Sequence, residues 1–161
     1  MNGDDKTYSE VINPKKEYWE KFREANLEYM NAQEPQSYFF CNNKKDADDC
    51  ADLVVQRIKQ ATSTSVWWFE KNSEKLPRIG DIAIVTNWDG CPKAIVRTTR
   101  VEVLKFKDTT PEYAYIEGEG DRSLQYWKKV HWDYYESEMK EFGEYPFEEM
   151  EIICEYFETI W

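Results

Sequence analysis

Apolar residues recur at helical spacing twice in the first sixty positions. Asn13-Pro14 supplies a capping side chain followed by proline at the first helical position, and Tyr18, Trp19, Phe22, Ala25, Tyr29 and Met30 then share one face. This predicts a helix over about 14–31. A second stripe, Ala47, Cys50, Ala51, Val54, Val55 and Ile58, begins near Asp46. Its direction is marked by charge, with Asp46, Asp48, Asp49 and Asp52 at the positive end of the helix dipole and Arg57 and Lys59 at the negative end. Between the two, 33–43 carries Pro35 and the run Tyr38-Phe39-Phe40, and reads as a connecting segment that tucks aromatic rings inward. Residues 1–12 lack periodicity and read as a loose arm.

Beyond Ala61 the pattern changes to β-branched and aromatic residues, predicting a strand around 64–69. Trp67 and Trp68 would then point to opposite faces, one into the core and the other lining a groove, packing under a helix or staying exposed. Ile82–Thr86 reads as a buried strand, 87–92 as a hairpin turn centred on Asp89-Gly90, and 93–106 as the longest strand, with a bulge where its alternation changes near Thr98-Thr99. Thr110-Pro111-Glu112 opens a short helical turn that delivers Glu117. There follows E-G-E-G-D-R-S-L-Q-Y-W-K-K-V-H-W (117–132), an acidic glycine loop feeding a helix of about 122–141 with Asp121 as its cap. Ile152, Cys154 and Tyr156 alternate in a closing strand, 151–157. The expected class is α+β, a curved antiparallel sheet or barrel flanked by helices. No linker divides the chain, so it reads as one globular unit in which an arm and helix (1–45) pack on a domain of 46–161.

The 161 residues are enough for a substantial core, and the 16% aromatic content supplies much of it. Cys41, Cys50, Cys91 and Cys154 form no C-x-x-C pair and a single histidine accompanies them, so buried reduced thiols are expected and neither a metal nor a cofactor is assigned. No apolar run reaches the roughly 18 residues of a membrane span, and M-N-G-D-D-K-T-Y lacks the parts of a signal peptide. A cytoplasmic protein is the expectation.

The formal charge of -11 disfavours broad duplex DNA binding. Its distribution is uneven. Residues 78–107 hold six basic residues (Arg78, Lys93, Arg97, Arg100, Lys105, Lys107) against three acids, whereas 136–158 holds nine glutamates and one lysine. With screening over about 8 Å, a distant acidic face need not cancel a local basic groove, which leaves a small anionic ligand or a single strand open.

Four segments taken together, I-K-Q-A-T-S-T-S (58–65), L-P-R-I-G-D-I-A-I-V (76–85), D-G-C-P-K-A-I-V-R-T-T-R-V-E-V (89–103) and 117–132, resemble the ASCH superfamily, the activating-signal-cointegrator homology domain, in its bacterial stand-alone branch. The likeness spans about 46–160. It implies a PUA-like β-barrel with a cleft between barrel and helices, RNA binding, and in some members hydrolysis of RNA or of an acylated cytidine. The family lysine corresponds to Lys59, its nearby hydroxyl to Thr62 and the acid after the long strand to Glu117, while Arg122 and Ser123 match a D-R-S-L signature. Many relatives carry glycine where this chain has Arg57, a cation that can narrow the cleft or add a phosphate contact.

On that resemblance Thr62 is the nucleophile, Lys59 its base and Glu117 the orienting acid. A base lysine needs a pKa of about 7–8, roughly 4 kcal/mol below its solvated value, and a close Glu117 pushes the opposite way, toward an electrostatic clamp. Lys59 also reads as an ordinary helix-end cation. Glu117, Glu119 and Asp121 can converge on a hard cation or serve as capping and solvation; His131 can be a packing histidine or a general base. Arg122 and Ser123 mark a helix N-terminus suited to an anion, and Trp68 or Trp127 can stack on a base. The expected function is binding of single-stranded RNA or a nucleoside in the cleft, with possible hydrolysis. A non-catalytic RNA or nucleotide reader, or a protein-interaction module using the acidic C-terminal face, are the alternatives.

Overall fold

The computed structural model describes residues 12–161, so the expected N-terminal arm lies, but for Ile12, outside the described residues. The chain forms two compact units, Met1–Glu34 and Pro35–Trp161. In the first, α1 (Pro14–Ala25) starts as its capping pattern requires, with the Asn13 side chain accepting from the Lys15 and Lys16 amides. It stops earlier than the apolar spacing predicts. Asn26 leaves helical geometry and turns its amide onto the Phe22 carbonyl at 2.9 Å, and a single 3-10 turn, Leu27–Tyr29, continues the aromatic face. Phe22 is thereby buried between Trp19 and Tyr29, at ring separations of 5.2 and 5.0 Å.

The second unit opens with β1 (Ser37–Tyr38), a short strand inside the expected connecting segment. α2 (Lys44–Val55) follows, capped by the Asn43 side chain on the Asp46 amide. β2 is Ala61–Ser65, not 64–69. The Ser65 hydroxyl accepts from the Trp68 amide at 3.1 Å and starts α3 (Val66–Asn72), so Trp67 and Trp68 are helical residues. A serine cap here overrides the β preference of the aromatic run.

β3 (Ile82–Thr86), β4 (Pro92–Lys105) and β5 (Glu151–Thr159) complete a sheet of order β1-β3-β4-β5-β2, antiparallel except for the β1/β3 pair. The β4/β5 register slips between Thr98 and Arg100, which places the expected bulge at Thr99. The curled sheet is PUA-like but stays open, with β1 and β2 as its two edges. α4 (Pro111–Glu117) and α5 (Leu124–Met139) lie between β4 and β5 in sequence. The α5 cap is Ser123, whose hydroxyl takes the Tyr126 amide; Asp121 instead accepts from the Ser123 amide, so the helix starts two residues later than expected. A 3-10 turn, Lys140–Phe142, follows α5.

Strand alternation divides the core. Ala61, Ile152 and Cys154 face one cluster with Phe106, Tyr113, Trp127, Tyr135 and Met139. Val96 and Phe157 face the other with Ala83, Val85, Ala94, Phe40, Cys50, Ala51 and Val54. Lys59, Ser63 and Glu117 are buried in this second unit.

Candidate functional site

After α2 the backbone turns sharply. Arg57 adopts the left-handed region (φ 61), and the Ile58 and Lys59 amides both return to the Leu53 carbonyl at 2.9 and 3.1 Å. This turn buries Lys59, which is 1% exposed. Its ammonium donates to the Ala61 carbonyl at 2.8 Å and to Glu119 Oε2 at 3.1 Å, approaches Glu117 Oε1 at 3.5 Å, and lies 5.0 Å from the centre of the Phe40 ring.

Glu117 ends α4 and is equally buried. One oxygen accepts from His131 Nε2 at 2.8 Å; the other accepts from Ser63 Oγ at 2.8 Å and from the Trp127 indole. His131 Nδ1 faces the Trp127 carbonyl at 2.8 Å, and the ring stacks on Trp127 at 4.1 Å. An acceptor faces each ring nitrogen, an arrangement that suits the doubly protonated ring. Burial opposes its charge, but Glu117 outweighs burial and raises its pKa. Burial also opposes the charge on Lys59, and Glu119 and Glu117 reverse that, holding the amine protonated. For Glu117 burial favours the acid form, yet His131 and Lys59 push its pKa below the ordinary carboxylate value.

Lys59, His131, Glu117 and Glu119 therefore form one network of opposing charges. Lys59 is a buried electrostatic clamp; its raised pKa opposes a general-base role. The glycines around Glu119 fix the arrangement. A Cβ on Gly118 (φ 81) would lie 2.5 Å from the Ile58 carbonyl oxygen, and one on Gly120 (φ 58) would lie 2.3 Å from the Tyr126 ring. Pinned on both sides, the loop aims Glu119 at Lys59.

The ASCH domain family matches residues 36–161. The chain belongs to this family. An ASCH domain from Lactobacillus crispatus JV V101 has a similar crystal structure, with a TM-score of 0.85 and 27% identity over 94% of this chain and 97% of that one. A protein from Enterococcus faecalis V583 is similar in fold, with a TM-score of 0.82 and 24% identity over 91% of this chain and 88% of that one. Among curated proteins none is significantly similar. Among the described residues of this ASCH chain, no helix is long and apolar enough to cross a membrane.

Of the residues that the ASCH resemblance singles out, the fold brings together Lys59 and Glu117, with Trp127 beside them. Trp127 is 2% exposed and spends its N–H on Glu117, so its ring belongs to the network. Thr62 is one position from the hydroxyl that reaches Glu117. Ser63 makes that bond, and Tyr113 links its own hydroxyl to Ser63 and to the Thr62 carbonyl at 2.9 and 2.8 Å. Thr62 pairs with Glu155 and faces the opposite side of the sheet.

The remaining candidates lie apart from this network. Arg57 donates to the Thr159 carbonyl from a left-handed backbone that would suit glycine. Arg122 stacks 3.5 Å above the Tyr115 ring and bonds the Tyr115 carbonyl, Ser123 is consumed as the α5 cap, and Trp68 lies half-buried on α3. The expected basic groove is largely neutralised, since Arg97, Arg100, Lys105 and Lys107 pair with Glu158, Glu102 and Glu149.

Ser63, Glu119 and Glu155 are the site residues that sequence reasoning passed over or gave another role. Glu155 is half-buried on the Thr62 face and accepts from Thr98 Oγ1 at 2.6 Å; burial raises its pKa. Alternation across 61–65 and 151–159 could have separated Ser63 from Thr62 and joined Thr62 to Glu155, given the register.

Proposed function

We propose that this ASCH domain binds a nucleoside or a short single-stranded RNA segment on the sheet face that carries Thr62, Thr64, Thr98 and Glu155, reading a base by hydrogen bonds. What supports this is the polar half of an otherwise apolar face. Thr62 and Thr64 are half-buried on the edge strand, beside a half-buried carboxylate whose described partner is a hydroxyl. A carboxylate in that setting accepts from an exocyclic amino group such as the one on cytosine. With Arg97, Arg100, Lys105 and Lys107 already paired, recognition depends on base edges more than on the phosphate chain, and the salt slope is small.

The test is calorimetric titration with cytidine, N4-acetylcytidine and short RNA, using wild type, Glu155→Gln and Thr62→Val. A tenfold or greater loss in both variants, with unchanged circular dichroism, supports the reading. Wild-type affinity in both sinks it. A hydrolytic reading rests on the contact between Lys59 and Glu117 across 58 positions, with Thr62 facing away from that pair. It predicts product from acylated cytidines or RNA that disappears in Lys59→Ala and Glu117→Ala. Incubation without product leaves the binding reading alone.

A further inference from the structure

Where Glu119 leaves the Lys59 network toward α2, three potential ligands converge. Cys41 Sγ and Cys50 Sγ are 3.7 Å apart, Cys50 Sγ lies 3.1 Å from Glu119 Oε1, and these atoms all fall within 4.8 Å of one another. We propose that Cys41, Cys50 and Glu119 form a binding site for a thiophilic divalent cation of the zinc type, with its fourth position open to water.

Three observations carry this. Two thiolates bound to one tetrahedral ion at about 2.3 Å stand about 3.8 Å apart, so the observed sulfur separation already suits a shared ion. The carboxylate needs to withdraw from Cys50 by only about 0.4 Å to meet the same geometry. The elements that present these groups are fixed. Cys41 takes a left-handed backbone (φ 66), rare for a residue with a side chain, Cys50 lies on α2, and Glu119 lies between the two pinned glycines. The two oxygens of Glu119 are already divided, Oε2 to Lys59 and Oε1 toward the thiols, so an ion at the thiols leaves the Lys59 contact in place.

The charges balance as well. Binding releases one proton from each thiol; two thiolates and a carboxylate against a divalent ion leave one negative charge, which Lys59 offsets. Cys41 is half-buried and the Glu119 side chain is 17% exposed, giving the ion a route in from solvent. The inference stands independently of the RNA reading.

Reduced, chelator-treated protein is titrated with Co2+ and then Zn2+. One Co2+ per chain is expected, with thiolate-to-cobalt charge-transfer absorption that Zn2+ abolishes. Cys41→Ser, at a half-buried position where folding should survive, weakens Zn2+ binding at least tenfold in chelator competition; Cys50→Ser and Glu119→Gln weaken it too. Cys91→Ser, at an exposed thiol outside the cluster, leaves binding unchanged. Absence of charge-transfer absorption, or a band that persists in Cys41→Ser, overturns the proposal. So does formation of a Cys41–Cys50 disulfide by a protein that takes up no metal when reduced.

Discussion

Lys59 has two sides, and they are built differently. Toward α5 it meets Glu117, a fully buried carboxylate that also takes His131, Ser63 and Trp127. Toward α2 it meets Glu119, which is partly exposed and beside two thiols that bond only each other and Glu119 among the contacts described. The first side is saturated, so it rigidifies the junction of α4, α5 and β2. The second retains coordinating capacity at a solvent edge. A buried lysine in this domain thus couples a structural centre to a place where chemistry can still be added.

Breaking the sealed side should have the largest effect. Glu117→Gln leaves Lys59 and His131 without their shared anion, and about 3–5 kcal/mol of stability should be lost, read as a shift in the urea midpoint. Glu119→Gln on the open side should cost only about 1–2 kcal/mol, because Lys59 keeps Glu117 and the Ala61 carbonyl as partners. Equal losses in the two variants would remove the contrast.

Gly118→Ala comes next, at about 2–4 kcal/mol by thermal unfolding, since the added methyl meets the Ile58 carbonyl in a left-handed backbone. Gly143→Ala, also left-handed (φ 70) but facing open space, should cost only about 1 kcal/mol. Similar values for both would show that the 118–120 loop is not pinned.

The pH dependence sharpens the comparison further. His131 has its pKa raised above 6.5, so its contribution is complete below that value and is lost as pH rises through the raised pKa. Glu117 is depressed below 4.5, so its contribution is present above that value and is lost as pH falls. Wild type should therefore lose stability on going from pH 6.5 into the alkaline range, and His131→Gln should lack that part of the slope. An unchanged slope in the variant would mean that His131 is neutral. The smallest effect is expected at Arg57→Gly, within about 1 kcal/mol of wild type, because relief of the left-handed backbone offsets the lost bond to the Thr159 carbonyl.

Local signals in the chain mark many of its elements. Asn13-Pro14 starts α1, Asp89-Gly90 turns the β3/β4 hairpin, the broken alternation at Thr98-Thr99 is the bulge, and Thr110-Pro111 opens α4. Errors arose where two local signals compete. Ser65 is both a strand residue and a cap, and Asp121 and Ser123 both suit an N-terminus. Hydrogen bonds to specific amides decide such cases, and composition does not contain them.

The sequence by itself determined the α+β class, the family, and the residue types from which a charged centre can be made, because helix caps, strand alternation and motif order are properties of neighbours along the chain. Tertiary structure decided which groups meet. Lys59 and Glu117 are 58 positions apart, Cys50 and Glu119 are 69 apart, and the choice of Ser63 over Thr62 follows from the pairing of β2 with β5. The protonation of each group depends on those contacts, since burial and opposing charges act through space.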